Sequence, residues 1–143
     1  MKSEINWIIH YCANGVGCSE CNEKVTGFIP YTCNSHTHGM QRYRHKDFQL
    51  VINLPVRETA RILNTLGLRV QAGERFQHGD LISGIYEDCS IRLDEYEETG
   101  RKVLRVMIPD KNNIFPEDER CMEVYRLQLL ETDALCTEGG MTS

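Results

Sequence analysis

The sequence predicts a single α+β domain, in which a mainly antiparallel sheet carries one principal helix on one face. Three patterns predict this fold. Residues 47–54 alternate between apolar and polar side chains, which is typical of a half-buried strand. Residues 56–66 carry apolar side chains at helical spacing, and residues 84–108 hold two apolar segments around a turn. A length of 143 residues is enough for one domain with its own core.

Composition and charge exclude several classes of protein. With 41% hydrophobic and 26% charged residues, the chain is globular rather than disordered. A net charge of -5 argues against a nucleic-acid groove, and the apolar runs are too short to span a membrane. The first residues do not form a signal peptide, because His10 interrupts a short apolar stretch. We therefore expect a cytoplasmic protein with no nucleic-acid or membrane partner, and the oligomeric state stays open.

The chain divides by composition into three parts. Residues 1–27 are rich in Cys, Gly and Asn, and they predict a loop segment that belongs to the same domain. Residues 28–136 are expected to form the α+β domain, and residues 137–143 a flexible tail. At the start of the domain, residues 27–33 predict a short edge strand, because Pro30 cannot donate a ladder hydrogen bond.

The next elements are a strand and the main helix. The alternation over residues 47–54 places every second side chain on one face. Pro55 suits the first position of a helix, since its fixed φ is helical and its missing N–H is not needed there. The helix is expected over Val56–Leu66, with Gly67 ending it in a left-handed conformation. Residues 68–71 then predict a short strand.

A hairpin follows the helix. Residues 84–96 predict a strand, residues 102–108 its antiparallel partner, and the loop between them is expected to hold four to five residues. The cluster Pro109 to Asn113 stops the second strand. Residues 124–130 fit either a strand or a helix.

Residues 28–110 resemble the bacterial family DUF4262. The resemblance is carried by Tyr31-Thr32, by His38-Gly39, by a strand–helix unit that reaches Leu63-Asn64, and above all by Val70-Gln71-Ala72-Gly73-Glu74-Arg75-Phe76. The chain departs from the family pattern at residues 33–36 and by an insertion at residues 41–46. The family has no established activity, so the resemblance implies a fold and no reaction.

The potential metal ligands are concentrated at the start of the chain. Of its seven cysteines and five histidines, seven lie within the first 38 residues: His10, Cys12, Cys18, Cys21, Cys33, His36 and His38. An odd cysteine count without a signal peptide favours reduced thiols over a disulfide framework. A turn-rich segment dense in thiols and imidazoles is typical of a small zinc site.

The spacing predicts a Zn²⁺ site. Cys18 and Cys21 can hold one ion from a tight turn, and the second half of the site would come from Cys12, Cys33, His36 or His38, or from His10. The alternative is that Cys12 and Cys33 are small buried residues and that the Cys18–Cys21 pair lies in an unliganded loop. A redox Cys-x-x-Cys is disfavoured, because no βαβ pattern surrounds it.

The sharpest local feature is His36-Thr37-His38. On an extended chain, residues i and i+2 point to the same side at a separation of about 7 Å, so these two imidazoles can share a metal. Alternatively, His38 caps the turn at Gly39 at a polar strand end. The basic run Arg42 to Lys46 could hold a phosphate or a carboxylate-bearing partner, although such runs are usually solvated loops.

Two classes of function remain. The sequence contains no G-x-S-x-G, P-loop, dinucleotide-binding or H-E-x-x-H motif. The favoured class is a small binding or regulatory module with a zinc-stabilised N-terminal segment and an unidentified protein or small-molecule partner. The alternative is a small metal-dependent enzyme of the hydrolase type that uses His36 and His38. Four ligands including cysteines would indicate structural zinc, and three ligands with an open position a catalytic ion.

Overall fold

A six-stranded sheet organises the molecule. The computed structural model describes residues 5–12 and 28–135, and the predicted tail lies outside them. The strand order is β1-β2-β3-β6-β5-β4, and all neighbours are antiparallel except the parallel pair β3 and β6. The strands are β1 (Ile8–Cys12), β2 (Thr32–His38), β3 (Asp47–Ile52), β4 (Leu81–Ile82), β5 (Ile91–Glu98) and β6 (Arg101–Met107). With one main helix, this confirms the predicted α+β class.

The core lies between one face of the sheet and helix α1 (Val56–Gln71). Leu63, on the predicted apolar stripe of the helix, is fully buried in this core. Side chains of β3, β5 and β6 meet the helix at alternating positions: Phe48, Leu50, Ile52, Ile91, Leu93, Leu104 and Val106. The predicted packing of the helix on the β3 strand and the hairpin is thus confirmed.

The prediction that Gly67 ends the helix is wrong. The helix continues to Gln71, so the predicted strand at residues 68–71 is also wrong. Gly67 is used for close approach rather than for capping, because a Cβ atom there would lie 2.5 Å from Cζ2 of Trp7. The Trp7 indole packs on the helix at this point, and its Nε1 donates to Asn64 Oδ1 at 2.8 Å.

This tryptophan anchors a strand where the sequence predicted a loop. Residues 8–12 follow Trp7 directly and form β1, the outermost strand, which pairs with β2. The prediction that residues 1–27 form a loop is therefore wrong for residues 8–12. The strand β2 begins at Thr32, after a turn in which Tyr31 has a φ of 72°. Pro30 therefore precedes the strand, and β2 is an inner strand rather than an edge strand.

The hairpin differs from the prediction at both ends: its strands are shorter at the open end and reach further towards the turn. The strand β5 starts at Ile91, not at residue 84, because residues 84–88 form bends that begin at Gly84, whose φ is 93°. The connection from β5 to β6 is the two-residue turn Thr99-Gly100, with both φ angles positive, and not a four- to five-residue loop. Positive φ at both positions matches the right-handed twist of the flanking strands.

The other face of the sheet is covered by the end of the described chain. The segment predicted as strand or helix forms a short helix, α2 (Glu123–Arg126), followed by 3-10 turns at Leu127–Leu129 and Thr132–Leu135. Gln128 joins this segment to β6, since its side chain accepts from Ile108 N and donates to Ile108 O, each at 2.8 Å. We call residues 123–135 the C-terminal cover.

Two further expectations concern the described residues. Neither helix in residues 5–12 and 28–135 has the length and apolar composition that crossing a membrane requires. The cysteines with described side chains, Cys33, Cys89 and Cys121, are free thiols, as the odd cysteine count predicts.

Replacement of Leu63 by alanine tests the core. Because Leu63 is fully buried between α1 and the sheet, we expect Leu63→Ala to lower the free energy of unfolding by about 2–5 kcal/mol. Leu81→Ala is the matched control, since Leu81 is 64% exposed, and its effect should stay below about 0.5 kcal/mol. Urea unfolding followed by circular dichroism measures both, and equal losses would contradict the assignment of the helix face.

Candidate metal centre

Three histidines from two neighbouring strands converge on one point. His10 lies on β1, His36 and His38 lie on β2, and their ring centroids are 4.3–5.4 Å apart. One nitrogen from each ring can be chosen so that all three lie within 4.8 Å of one another. Zinc–nitrogen bonds of 2.0–2.1 Å place tetrahedral ligands about 3.3 Å apart. Small ring movements would therefore bring the three nitrogens onto one ion, and the group can hold a metal.

The register of β1 and β2 produces this cluster. His36 and His38 are two residues apart on an extended strand, so they share a face as the sequence predicts. His10 lies directly opposite His36 in the antiparallel pairing. Side chains at opposite positions of an antiparallel pair lie on the same face, about 5 Å apart at Cβ. The third imidazole thus comes from a strand that the sequence analysis treated as a loop.

Burial is unequal among the three rings. His36 is fully buried, whereas His10 and His38 are partly exposed. Burial lowers the pKa of His36 to about 4, against a smaller raising effect of the Glu98 carboxylate. The pKa of His38 is also lowered, first by burial and then by the positive charge of Arg101. At neutral pH these two imidazoles are uncharged, which is the state in which histidine binds a metal.

A chain of buried hydrogen bonds fixes the tautomer of His36. Arg105 can only donate, and its Nε–H donates to Gln49 Oε1 at 2.7 Å. The Gln49 amide group therefore donates to Asn34 Oδ1 at 2.9 Å, and Asn34 Nδ2 donates to Glu98 Oε2 at 3.3 Å. Asn34 Oδ1 lies 3.1 Å from Nδ1 of His36 and must accept, so the proton of the ring sits on Nδ1. Nε2 then carries the lone pair that a metal would take.

Glu98 supports the same ring from behind. This carboxylate is fully buried, and its Oε2 lies 3.7 Å from His36 Nδ1. Arg101 Nε donates to Glu98 Oε1 at 2.9 Å, while its other nitrogens donate to Asp47 Oδ2 and Thr37 O. Burial alone would raise the pKa of Glu98, but the neighbouring His36, Arg101 and Asn34 lower it. In many zinc sites such a carboxylate accepts the ring N–H directly. Here Asn34 Oδ1 accepts it, and Glu98 in turn holds the Asn34 amide group.

The structure separates the predicted cysteine ligands from this cluster or leaves them undescribed. Cys33 is buried away from the histidines: its Sγ contacts Ser35 Oγ at 3.7 Å and donates to the carbonyl oxygens of Leu50 and Ile52. Burial raises the pKa of its thiol, which fits the alternative of a small buried residue. The backbone of Cys12 pairs with Asn34 at the end of β1. Cys18 and Cys21 lie outside the described residues.

Other residues that the sequence singled out lie outside the histidine cluster. His45 Nδ1 contacts Lys46 O, and its Nε2 accepts from Phe76 N. In the basic run, Lys46 forms an ion pair with Glu95, whereas Arg42 and Arg44 are exposed. Sequence analysis missed the role of Glu98 and considered His10 only as one of several additional ligands. A usable signal for His10 was the run Trp7-Ile8-Ile9-His10-Tyr11, whose residue types favour a strand.

Comparisons with protein-family models, with curated proteins and with solved structures return no match to this chain. The resemblance to DUF4262 stays a prediction from the sequence. The chemistry of the site therefore has to be argued from its own geometry.

The buried imidazole of His36 predicts a loss of stability in acid. Its pKa is about 4 in the folded protein and about 6.5 when unfolded, so the unfolded chain binds more protons between these values. Its contribution is present above pH 6.5 and is lost as the pH falls towards 4. We expect a decrease of about 3 kcal/mol from this group in the metal-free protein.

Urea unfolding of metal-free protein at pH 7.5, 6, 5 and 4.5 measures this decrease. The matched variant is His36→Gln, which keeps a polar side chain but cannot take up a proton in this range. Its stability should fall less between pH 6.5 and 4.5 than that of the parent chain. Parallel curves for the two proteins would contradict a buried, neutral His36.

Proposed function

We propose that the protein binds one zinc ion through His10, His36 and His38 and acts as a metal-dependent enzyme of the hydrolase type. The observation that carries the proposal is the convergence of three imidazoles with nitrogens within 4.8 Å. Three protein nitrogens leave one position of a tetrahedral ion to a small molecule, as in catalytic rather than structural zinc sites. When bound, such an ion supplies Lewis-acid activation of that molecule.

The surroundings of the histidines support this proposal. The inner ring, His36, is held in one tautomer by the hydrogen-bond chain from Arg105 and is backed by Glu98. The outer rings, His10 and His38, are partly exposed, so a molecule can approach from their side. A rigid inner ligand and accessible outer ligands are what an open metal position requires.

A second candidate is the binding or regulatory module with a zinc-stabilised N-terminal segment. One observation favours it: β1, which carries His10, ends at Cys12, and the chain continues from there to Cys18 and Cys21. A thiolate from this stretch would complete a closed, four-ligand site. The ion would then tie the N-terminal segment to the sheet instead of serving a reaction.

Cobalt substitution distinguishes the two candidates. Co²⁺ gives an intense near-ultraviolet charge-transfer band when a thiolate is a ligand and none when all protein ligands are imidazoles. We expect no such band in the Co²⁺-loaded protein, and an unchanged visible spectrum in the Cys18→Ser/Cys21→Ser and Cys12→Ser variants. A strong band that a cysteine variant removes would favour the module.

The first prediction for the site is metal binding itself. The chain, purified without added metal and then supplied with Zn²⁺, should bind one equivalent, measured by elemental analysis after dialysis. His10→Ala and His38→Ala should each lower the affinity by about 100-fold, since each removes one of three ligands. His78→Ala is the matched control, because His78 is exposed on a turn and contacts Glu95 N. Stoichiometric binding that survives both ligand variants would contradict the site.

The second prediction concerns the layer behind His36. Glu98→Gln removes the negative charge and adds a third amide to the hydrogen-bond chain, so either Asn34 or Arg101 then faces a donor. We expect zinc affinity to fall about 10- to 100-fold with the three histidines intact. Glu95→Gln on the same strand is the control, because Glu95 pairs with the exposed Lys46 and Lys102. Competition titration with a chromophoric chelator measures both variants, and equal affinities would refute a role for Glu98.

A further inference from the structure

An open groove lies beside His38, one of the two partly exposed histidines. It is an open surface depression of about 400 Å³. His38 belongs both to this groove and to the histidine cluster, so a metal held there would border the groove. We call it the His38 groove, and its lining residues are Asn6, Ile8, His38, Gly39, Gln41 and Arg42.

The apolar wall of the groove lies on the same face of the sheet as the metal ligands. Ile8 is directly opposite His38 in the register, and it is two residues from His10 on the same strand. Its neighbour Ile9 packs against the core on the other face, as strand alternation requires. The Ile8 side chain is 56% exposed, which leaves an apolar surface next to the outer imidazoles.

Among the described lining residues of the groove, the one charged side chain is the cation Arg42. Arg42 is exposed on its rim, in the short 3-10 turn Met40–Tyr43 that follows Gly39. None of the described residues that line the groove is Asp or Glu. A bound metal would add its own positive charge at the end marked by His38. An anionic group is therefore favoured between the metal and Arg42, and an apolar group beside Ile8.

We propose that the His38 groove binds a small aliphatic carboxylate, with its carboxylate between the bound metal and Arg42 and its alkyl chain on Ile8. This rests on the proposed function, since the metal is one of the two cationic partners. A carboxylate fits better than a phosphate, because the groove offers one guanidinium beside an apolar wall.

An aliphatic carboxylate is a product of the hydrolase chemistry in the proposed function. Hydrolysis of an aliphatic ester or amide breaks the acyl C–O or C–N bond and forms an acyl C–O bond with water. The alcohol or amine leaves with a proton, and the carboxylic acid loses its proton at neutral pH. The groove would hold the acyl part of such a substrate and, after reaction, the aliphatic carboxylate.

The test is ligand binding to the full chain loaded with Co²⁺ or Zn²⁺. Hexanoate, acetate, hexanol and inorganic phosphate are titrated separately, followed by calorimetry and by the visible spectrum of the Co²⁺ form. We expect hexanoate to bind most tightly, about 10-fold tighter than acetate, and to change the cobalt spectrum. Removing the metal should weaken hexanoate binding by about 10-fold or more.

Two matched pairs of variants locate the contacts. Arg42→Gln should weaken hexanoate and acetate about equally, by 5- to 10-fold, whereas Arg44→Gln, two residues away and outside the groove lining, should leave both unchanged. Ile8→Ser should weaken hexanoate but not acetate, whereas Leu81→Ser, at an exposed leucine on the far edge strand, should weaken neither.

Metal content, measured for every variant, distinguishes a failure of the proposed function from a failure of the groove proposal alone. A chain that takes up no metal at the histidines refutes the proposed function and the groove proposal together. With one metal bound per chain, the groove proposal alone is overturned if phosphate or hexanol binds as tightly as hexanoate, or if hexanoate does not exceed acetate. It is also overturned if Arg44→Gln has the same effect as Arg42→Gln.

Discussion

The buried guanidinium of Arg105 is the constraint on which the polar half of this structure depends. Arg105 is fully buried in β6, and its planar group has only donors to offer. Its nitrogens donate to Gln49 Oε1, to the carbonyl oxygens of Gln128 and Leu130, and to the hydroxyl of Thr132. The guanidinium carbon also lies 3.7 Å from the ring centre of Tyr96. Burial lowers its pKa to about 10, so it keeps its charge at neutral pH.

Two consequences follow from this one group. On one side, it fastens the C-terminal cover to the sheet, because acceptors at Gln128, Leu130 and Thr132 must remain near β6 to satisfy its donors. On the other side, it sets the direction of every amide between itself and His36. The packing of the C-terminal cover and the orientation of His36 thus both depend on the buried charge of Arg105, and a change at Arg105 would affect both.

The sequence predicted correctly those elements whose apolar residues, read from the local pattern, are also the residues that pack in the core. The helix and the hairpin are periodic and amphipathic, so their apolar faces pointed directly to the core that the structure shows. The helix end was predicted wrongly at Gly67 because a glycine can either cap a helix or allow another group to approach it closely. Here the approaching group is Trp7, which is distant in the sequence. The strand at Ile8–Cys12 was hidden by the turn residues that follow it, since composition was averaged over the segment.

Local pattern also decided which residues of the candidate metal centre could be predicted. His36 and His38 share a face through strand alternation alone, and this local rule holds. His10 joins them only through the pairing of β1 with β2, and Glu98 only through the hairpin, so both contacts depend on topology. The directions of the amide groups of Gln49 and Asn34 follow from a buried arginine more than fifty residues further along the chain, which no spacing rule reveals.

Because β1 lies at the margin of the described sheet, a bound ion would change the free energy of detaching this strand. The strand is held to β2 by ladder hydrogen bonds and to α1 by the Trp7 indole. An ion shared by His10 and the two β2 histidines would bind the docked strand and not the detached one. The free energy of detaching the strand would then rise with the logarithm of the free ion concentration above the dissociation constant. The free zinc concentration would then determine how often β1 detaches from β2.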